Sequence, residues 1–115
     1  MAIPLLVTVT ATFVDDGAGG TVARAQMGPD KQRDNWTVNR ITTVTNNTTA
    51  VHSNLQVYQN AEGPSTYLDG SFNADRDVSQ LAPPLEIGPG EHLLFVWTKG
   101  QLGNIATATI TGILS

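Results

Sequence analysis

The chain of 115 residues is long enough for one domain of ordinary size and too short for two. Its net charge of −4, with only six lysines and arginines, argues against nucleic acid as a partner, because phosphate binding needs a basic surface. The lack of cysteine excludes disulfides and thiol catalysis, and no apolar run reaches the roughly 18 residues of a membrane span. We therefore expect a single domain over residues 1–115 that binds neither nucleic acid nor a membrane.

The low proportion of charged residues is the most unusual feature of the composition. Charged residues make up 14% of the chain, against roughly 25% in an average globular protein. The surface must therefore be built largely from threonine, asparagine, serine, glutamine and glycine. Such a composition suits strands and turns, and it suits a protein that packs against neighbouring chains.

The first third of the chain predicts strands. In "LLVTVTATFV" apolar side chains alternate with threonines, which is the period of a half-buried strand. The apolar face comprises Leu5, Val7, Val9, Ala11 and Phe13. The glycine-rich "DDGAGG" predicts a turn, after which "TVARAQM" returns as a second strand. Residues 28–35, "GPDKQRDN", predict a polar loop.

Further strands follow in the middle of the chain. In "WTVNRITTVTN", Ile41 and Val44 break the alternation begun by Trp36 and Val38, so we expect a β-bulge near Asn39 or Arg40. The segment "VHSNLQVYQN" predicts a strand with alternate residues, including Leu55 and Val57, on one face. The segment "TYLDGSF" predicts a short strand.

The last third completes the pattern. The segment "LAPPLEIGPGE" carries two adjacent prolines and a turn, "HLLFVWT" is apolar on both faces and predicts a central strand, and "IATATITGIL" alternates again. In this last strand Ala106, Ala108 and Gly112 indicate close approach of a neighbouring strand or chain. Seven or eight short strands, frequent turns and no long helix predict an all-β fold: a single antiparallel β-sandwich of jelly-roll type, or a small barrel.

The stretch "DGSFNADRDVSQ", residues 69–80, most resembles a site of chemistry. Asn73, Asp75 and Asp77 fit the first three ligand positions of an EF-hand calcium loop, but Val78 and Pro84 occupy the positions that require glycine and glutamate. The favoured interpretation is a solvated loop before a corner at the two prolines, in which Asp and Asn side chains bond their own backbone. Two alternatives stay open: a contact of Arg76 or Asp77 with another chain, and a different calcium site. The candidate metal ligands are Asp69, Asn73, Asp75 and Asp77.

No catalytic residue stands out, and we expect neither an enzyme nor a cofactor. His52 and His92 lie far apart in the sequence, Ser71 lacks the surroundings of a nucleophile elbow, and no pair of acids is marked by its context. Aromatic side chains could form a platform for sugar rings, but the two tryptophans favour a core or subunit-interface position. These aromatic residues are Trp36, Tyr58, Tyr67 and Trp97.

Three segments in succession carry a resemblance: "DNWTVNRITTVTNN", "VYQNAEGPSTYLDGSFNADRD" and "LEIGPGEHLLFVWTKGQLGNIATATITG". Together they resemble a small β-sandwich domain of structural proteins in tailed phages of actinobacteria, which also occurs as a module of minor tail or fibre proteins. The resemblance covers roughly residues 34–112. This chain has Lys99 before Gly100 where the pattern has two glycines, and the N-terminal strand pair lies outside the pattern.

The resemblance implies a virion component, and the low charge and threonine-rich strands agree with it. We expect a capsid decoration or cement protein, made in the bacterial cytoplasm, that binds the major capsid protein on the outer surface of the assembled head as a homotrimer. Two alternatives are a fibre or spike tip that binds host glycans, and a minor tail or adaptor subunit. The predicted interface residues lie in an extended N-terminal arm (residues 1–6), in the loop before residue 35, and after residue 75: Ile3, Pro4, Leu5, Asp30, Lys31, Arg33, Arg76 and Asp77.

Overall fold

The computed structural model describes residues 3–29, 34–46, 53–71 and 76–114. These residues form nine strands: β1 (Ile3–Thr12), β2 (Val14–Asp15), β3 (Thr21–Met27), β4 (Trp36–Thr45), β5 (Asn54–Gln59), β6 (Tyr67–Ser71), β7 (Arg76–Ile87), β8 (Leu93–Thr98) and β9 (Ile105–Leu114). No helix in the described part of the chain is long and apolar enough to cross a membrane.

The strands form two antiparallel sheets, which we call sheet A and sheet B. Sheet A has the order β1-β9-β4-β7, and sheet B has the order β2-β3-β8-β5-β6. The two sheets enclose one cluster of buried apolar side chains and do not close into a barrel. The predicted all-β antiparallel sandwich is therefore confirmed. Nine strands replace the seven or eight expected because the first predicted strand divides into β1 and β2 and because residues 76–87 form a strand, β7, that was not predicted.

Phe13 marks the point where the chain passes from sheet A to sheet B. Its side chain is buried in the core, as the alternation predicted. Its backbone N–H donates to the carbonyl oxygen of Asn104 at 2.8 Å, and its own carbonyl accepts from the N–H of Gly103 at 2.9 Å. The ring lies so close to Gly100 that a Cβ atom there would overlap it. The strand after the turn, β3, therefore pairs with β2 and β8 and not with β1.

The core between the sheets contains both tryptophans, as the core interpretation predicted. Trp97 and Phe95 project from the central strand β8, and their rings stack with centroids 6.0 Å apart. The indole N–H of Trp97 donates to the hydroxyl of Thr43 in β4 at 2.8 Å, so one buried hydrogen bond joins the two sheets. Trp36 is also buried. Since the strand "HLLFVWT" lies at the centre of sheet B, its prediction is confirmed.

The predicted bulge in β4 is present. The register of β4 shifts between Val38 and Arg40 against both of its neighbours, β7 and β9. On the β9 side, Gly112 lies opposite Val38, and a Cβ atom on Gly112 would overlap the carbonyl group of Thr37. The close approach predicted for the small residues of β9 is thus confirmed at Gly112, and the approaching strand is β4 of the same chain.

The prediction for residues 76–87 was wrong. The structure has a strand of twelve residues there, β7, in place of a loop followed by a corner at the two prolines. β7 forms an edge of sheet A, where proline is tolerated because a backbone N–H that faces outward needs no ladder partner. Leu85 pairs with Val38 and Gln80 pairs with Arg40, so residues 81–84 bulge opposite a single residue of β4.

Candidate functional site

The outer face of sheet A is rich in threonine, and we call it the threonine face. Its threonines project away from the core from β1, β4 and β9, and they stand in rows across the sheet. In one row Thr8 lies opposite Thr109, and Thr109 lies opposite Thr42. The hydroxyls of Thr8 and Thr109 are 3.0 Å apart and share a hydrogen bond. The set comprises Thr8, Thr10, Thr12, Thr37, Thr42, Thr107, Thr109 and Thr111.

Charge is distributed unevenly over this face. The neighbouring strands β1 and β9 contain no charged residue in twenty positions. At one end of this pair, Pro4 lies opposite Ile113 and Leu6 lies opposite Thr111. Leu6 is 70% exposed and is the most exposed large apolar side chain in the described residues. We call Pro4, Leu6 and Ile113, with Ile3 at the strand end, the apolar patch. Exposed apolar surface of this kind marks interaction sites in soluble proteins.

The free edge of β1 presents backbone groups without a ladder partner among the described strands. In an antiparallel ladder, alternate residues bond to the same neighbour. Because Phe13 bonds to Asn104, the backbone N–H and C=O groups of the odd-numbered residues of β1 point towards β9. Those of the even-numbered residues point away from β9, out of the edge of the sheet. The outward N–H groups therefore belong to Leu6, Thr8, Thr10 and Thr12. Pro4 belongs to the same set, so its missing N–H costs the β1–β9 ladder nothing.

The predicted N-terminal arm needs correction. Residues 3–6 pair in register with residues 111–114 of β9, so the described part of this segment is the beginning of an edge strand. The side chain of Leu5 points into the core and is only 8% exposed, because strand residues alternate between the two faces. Ile3 and Pro4 remain at the surface. Leu6, on the outward face, was not predicted, although its position among the threonines of "LLVTVT" was the signal for it.

The other predicted interface residues lie elsewhere. Arg76 and Asp77 belong to β7, at the opposite edge of sheet A from β1. Asp30, Lys31 and Arg33 lie outside the described residues. The structure therefore places the described candidates at the two ends of one sheet and does not bring them together.

Two of the four candidate metal ligands can be located. Asp69 in β6 and Asp77 in β7 line the same narrow gap between the sheets, whose other walls include Leu55 and Val57. Asn73 and Asp75 lie outside the described residues. In the part of the chain that the structure describes, no three histidine or acidic side chains come together as metal ligands. One carboxylate oxygen of Asp77 accepts a bond from the N–H of Val78 at 2.9 Å.

A shallow groove of about 400 Å³ runs between the edge strands β6 and β7. Its walls are mainly apolar and include Leu68, Leu81 and Leu85, with Asp69 at its side. On sheet B, Tyr67 is 49% exposed and meets Tyr58 edge to face, with ring centroids 5.9 Å apart. The tyrosine pair is therefore the part of the predicted aromatic platform that reaches the surface, since both tryptophans are buried.

No protein-family model matches this sequence, and the search of curated proteins finds no matching relative. The fold and its surfaces therefore define the class of protein: an antiparallel β-sandwich with an uncharged strand pair at one edge of sheet A.

Proposed function

We propose that the chain is a structural protein of a tailed-phage virion, and specifically a decoration subunit that binds the outer surface of the assembled head. The observation that carries the proposal is the uncharged half of the threonine face, formed by β1 and β9 and ending in the apolar patch. The resemblance of residues 34–112 to a phage sandwich domain supports the same assignment.

The proposed mechanism is burial of this surface between subunits. Apolar side chains such as Leu6 and Ile113 would supply the centre of the contact, and the surrounding threonine hydroxyls would supply its polar rim. A subunit that binds the assembled shell and not its separate parts stabilises the shell by mass action. The proposed partner is the major capsid protein, and a homotrimer remains the expected assembly on the head.

The test uses heads of the encoding phage prepared without this protein. Purified protein is mixed with expanded heads, the heads are sedimented, and the bound fraction is measured. We expect the wild-type protein to bind and Leu6→Lys to bind at least about tenfold more weakly, because a lysine would place a charge in the centre of the contact. The matched control is Val78→Lys, which alters another exposed aliphatic residue, on the other edge strand of sheet A.

The proposal fails if the wild-type protein does not bind such heads, or if Leu6→Lys and Val78→Lys bind equally well. A cryo-EM map of the virion gives an independent answer. Density for a domain of this size on the head surface supports the decoration role, whereas density confined to the tail supports the minor tail or adaptor role.

A second candidate function is a fibre or spike tip that binds host glycans. The pair of exposed Tyr67 and half-buried Tyr58 favours it, because aromatic faces can stack on sugar rings. This alternative predicts glycan-array binding that Tyr67→Ala abolishes while the protein stays folded. The decoration role predicts no glycan binding in either protein.

A further inference from the structure

We propose that the free edge of β1 pairs antiparallel with β1 of a second copy of this chain, so that two four-stranded A sheets join into one continuous sheet. This contact has twofold symmetry, so it joins two copies and is not the contact within the homotrimer expected on the head. It is separate from the head contact proposed above, and it does not depend on the phage assignment.

The two edges of sheet A differ in how they are protected from pairing. Natural sheets protect exposed edges with charges, prolines, bulges or short strands, because an unprotected edge pairs with other chains. β7 has Arg76, Asp77 and Glu86, two adjacent prolines and the bulge at residues 81–84. β1 is ten residues long, has no charge, and keeps an unbroken register with β9. The strand without protection is the one expected to be paired in the assembled protein.

Pro4 does not protect the rest of the β1 edge. It lies near the beginning of the strand, and it removes one outward N–H. The outward N–H groups of Leu6, Thr8 and Thr10 remain, together with the carbonyl groups of the same residues, whereas towards Thr12 the edge approaches β3, which pairs with β2. A run of outward-facing donors and acceptors of this length is a template for another strand.

The edge of β1 is complementary to the same edge of a second copy that is related to it by a twofold axis. A register centred on Thr8 places Thr8 opposite Thr8 of the second copy and Leu6 opposite Thr10 of the second copy. All of these residues belong to the outward-facing set, so each such pair can exchange two backbone hydrogen bonds. The three pairs that Leu6, Thr8 and Thr10 make with the second copy form about six bonds.

The absence of charge selects a second copy over an unlike chain. A different partner strand would be distinguished by complementary charges or by pockets for its side chains, and β1 offers neither. In the paired arrangement no charged side chain of β1 or β9 meets a like charge across the axis. The threonine rows also continue across the axis, with Thr109 and Thr8 of one copy followed by Thr8 and Thr109 of the other.

The contact is modest in extent. A strand of ten residues is roughly 33 Å long, and one strand pair lies at the small end of specific interfaces. We therefore expect a reversible dimer whose dissociation constant is about micromolar or weaker. Sedimentation equilibrium of the full chain should then show a rise from 12.2 kDa towards twice that mass as the concentration increases.

Thr8→Pro is the variant that tests the edge. It removes the N–H at the axis while leaving the bonds from β1 to β9 in place, because Thr8 faces away from β9. We expect the dimer to weaken at least about tenfold, since both bonds of the central pair are lost. Thermal unfolding of the monomer at low concentration reports whether the fold is retained.

Disulfide trapping gives a second readout that does not depend on the proline variant. The chain has no cysteine, so a single introduced thiol can react only with its counterpart on another copy. In the proposed register the two Thr8→Cys residues have Cα atoms about 5.5 Å apart, within disulfide reach. The matched control is Thr109→Cys, whose copies would be three strand spacings apart, roughly 14 Å.

The result that supports the proposal is a wild-type dimer that Thr8→Pro weakens and that Thr8→Cys, but not Thr109→Cys, converts to a disulfide-linked form. The proposal is overturned if the wild-type protein stays monomeric up to about millimolar concentration or forms only trimers. It is likewise overturned if the two cysteine variants crosslink equally. None of these outcomes alters the head-binding test, so the two proposals fail separately.

Discussion

Strands β1 and β7 form the two edges of the same sheet, yet their sequences differ in almost every respect that governs pairing. β7 carries Arg76, Asp77 and Glu86, contains Pro83 and Pro84, and bulges where it pairs with β4. β1 is regular and uncharged, and it contributes most of the residues of the apolar patch. The difference indicates that an edge which must remain unpaired carries visible protection in its sequence. An edge without such protection is a candidate surface for contact with another chain. The described residues of this chain form no metal cluster.

The largest expected effect concerns the core that both edges share. Trp97→Ala removes the largest buried side chain and its bond to Thr43, and should lower the free energy of unfolding by about 3–5 kcal/mol. Denaturant unfolding measures the loss. Hydrogen exchange should accelerate in β1 and in β7 alike, and faster exchange in only one edge would show that the edges do not share one cooperative core. Trp97→Phe is the control that keeps a ring in place.

The next effect concerns the junction between the two halves of sheet A. Gly112→Ala would push β9 away from the backbone of β4 at Thr37. This displacement would separate the half of sheet A that contains β1 from the half that contains β7. We expect a loss of about 1–3 kcal/mol in the free energy of unfolding. The control is Gly63→Ala, whose Cβ would meet only the Thr66 hydroxyl at 3.9 Å. Equal stability of the two variants would contradict the close approach of β9 and β4.

A smaller effect on stability, but a clear effect on association, is expected when β7 loses its protection. Replacing Arg76, Asp77, Pro83 and Pro84 by threonine makes this edge resemble β1. We expect new self-association in sedimentation and light scattering, with a change in stability of about 1 kcal/mol or less. Pro64→Thr, in an exposed loop, is the control. An unchanged association state would indicate that these charges and prolines do not distinguish the two edges.

The smallest effect concerns the turn between β2 and β3, on the β1 side of the sandwich. The carboxylate of Asp16 accepts bonds from the N–H groups of Ala18 at 2.7 Å and Gly20 at 3.0 Å, and these bonds lower its pKa below the ordinary value of 3.8. Because the folded-state pKa is the lower one, the stabilisation is present above pH 3.8 and is lost as the pH falls through the folded-state value.

Urea unfolding at several pH values tests this contribution of Asp16. The advantage of the wild-type protein over Asp16→Asn should be constant from about pH 5 upward and should shrink below about pH 3.8. Asp15→Asn serves as the control in the same turn. An advantage that is independent of pH would show that the charge of Asp16 does not contribute.

Local patterns in the sequence predicted much of the fold. Alternation located β1, β5 and β9, a run that is apolar on both faces located β8, and the break in alternation after Val38 located the bulge. The same rule failed for β7, because adjacent prolines and charged residues are also the signature of a loop. The division of the first predicted strand at Phe13 depends on contacts with residues 100–104, and local sequence does not report such distant contacts.

The candidate site was predicted less well than the fold. Ile3 and Pro4 were selected as surface residues of an arm, but their pairing with β9, and hence the free edge, depends on which distant strand lies beside them. Leu5 and Leu6 are adjacent in sequence and point to opposite faces, so the interface prediction included the buried one of the two. Asp69 and Asp77 were grouped by sequence, and the structure places them on different sheets but beside the same gap between those sheets.

The free edge of β1 as a contact between chains is tested most directly by residue-resolved amide hydrogen exchange at low and high protein concentration. The odd-numbered residues Val7, Val9 and Ala11 should be protected at both concentrations, because they bond to β9. We expect the amides of Leu6, Thr8 and Thr10 to exchange freely in dilute protein and to become protected in concentrated protein. Free exchange of these three amides at every concentration would contradict this expectation.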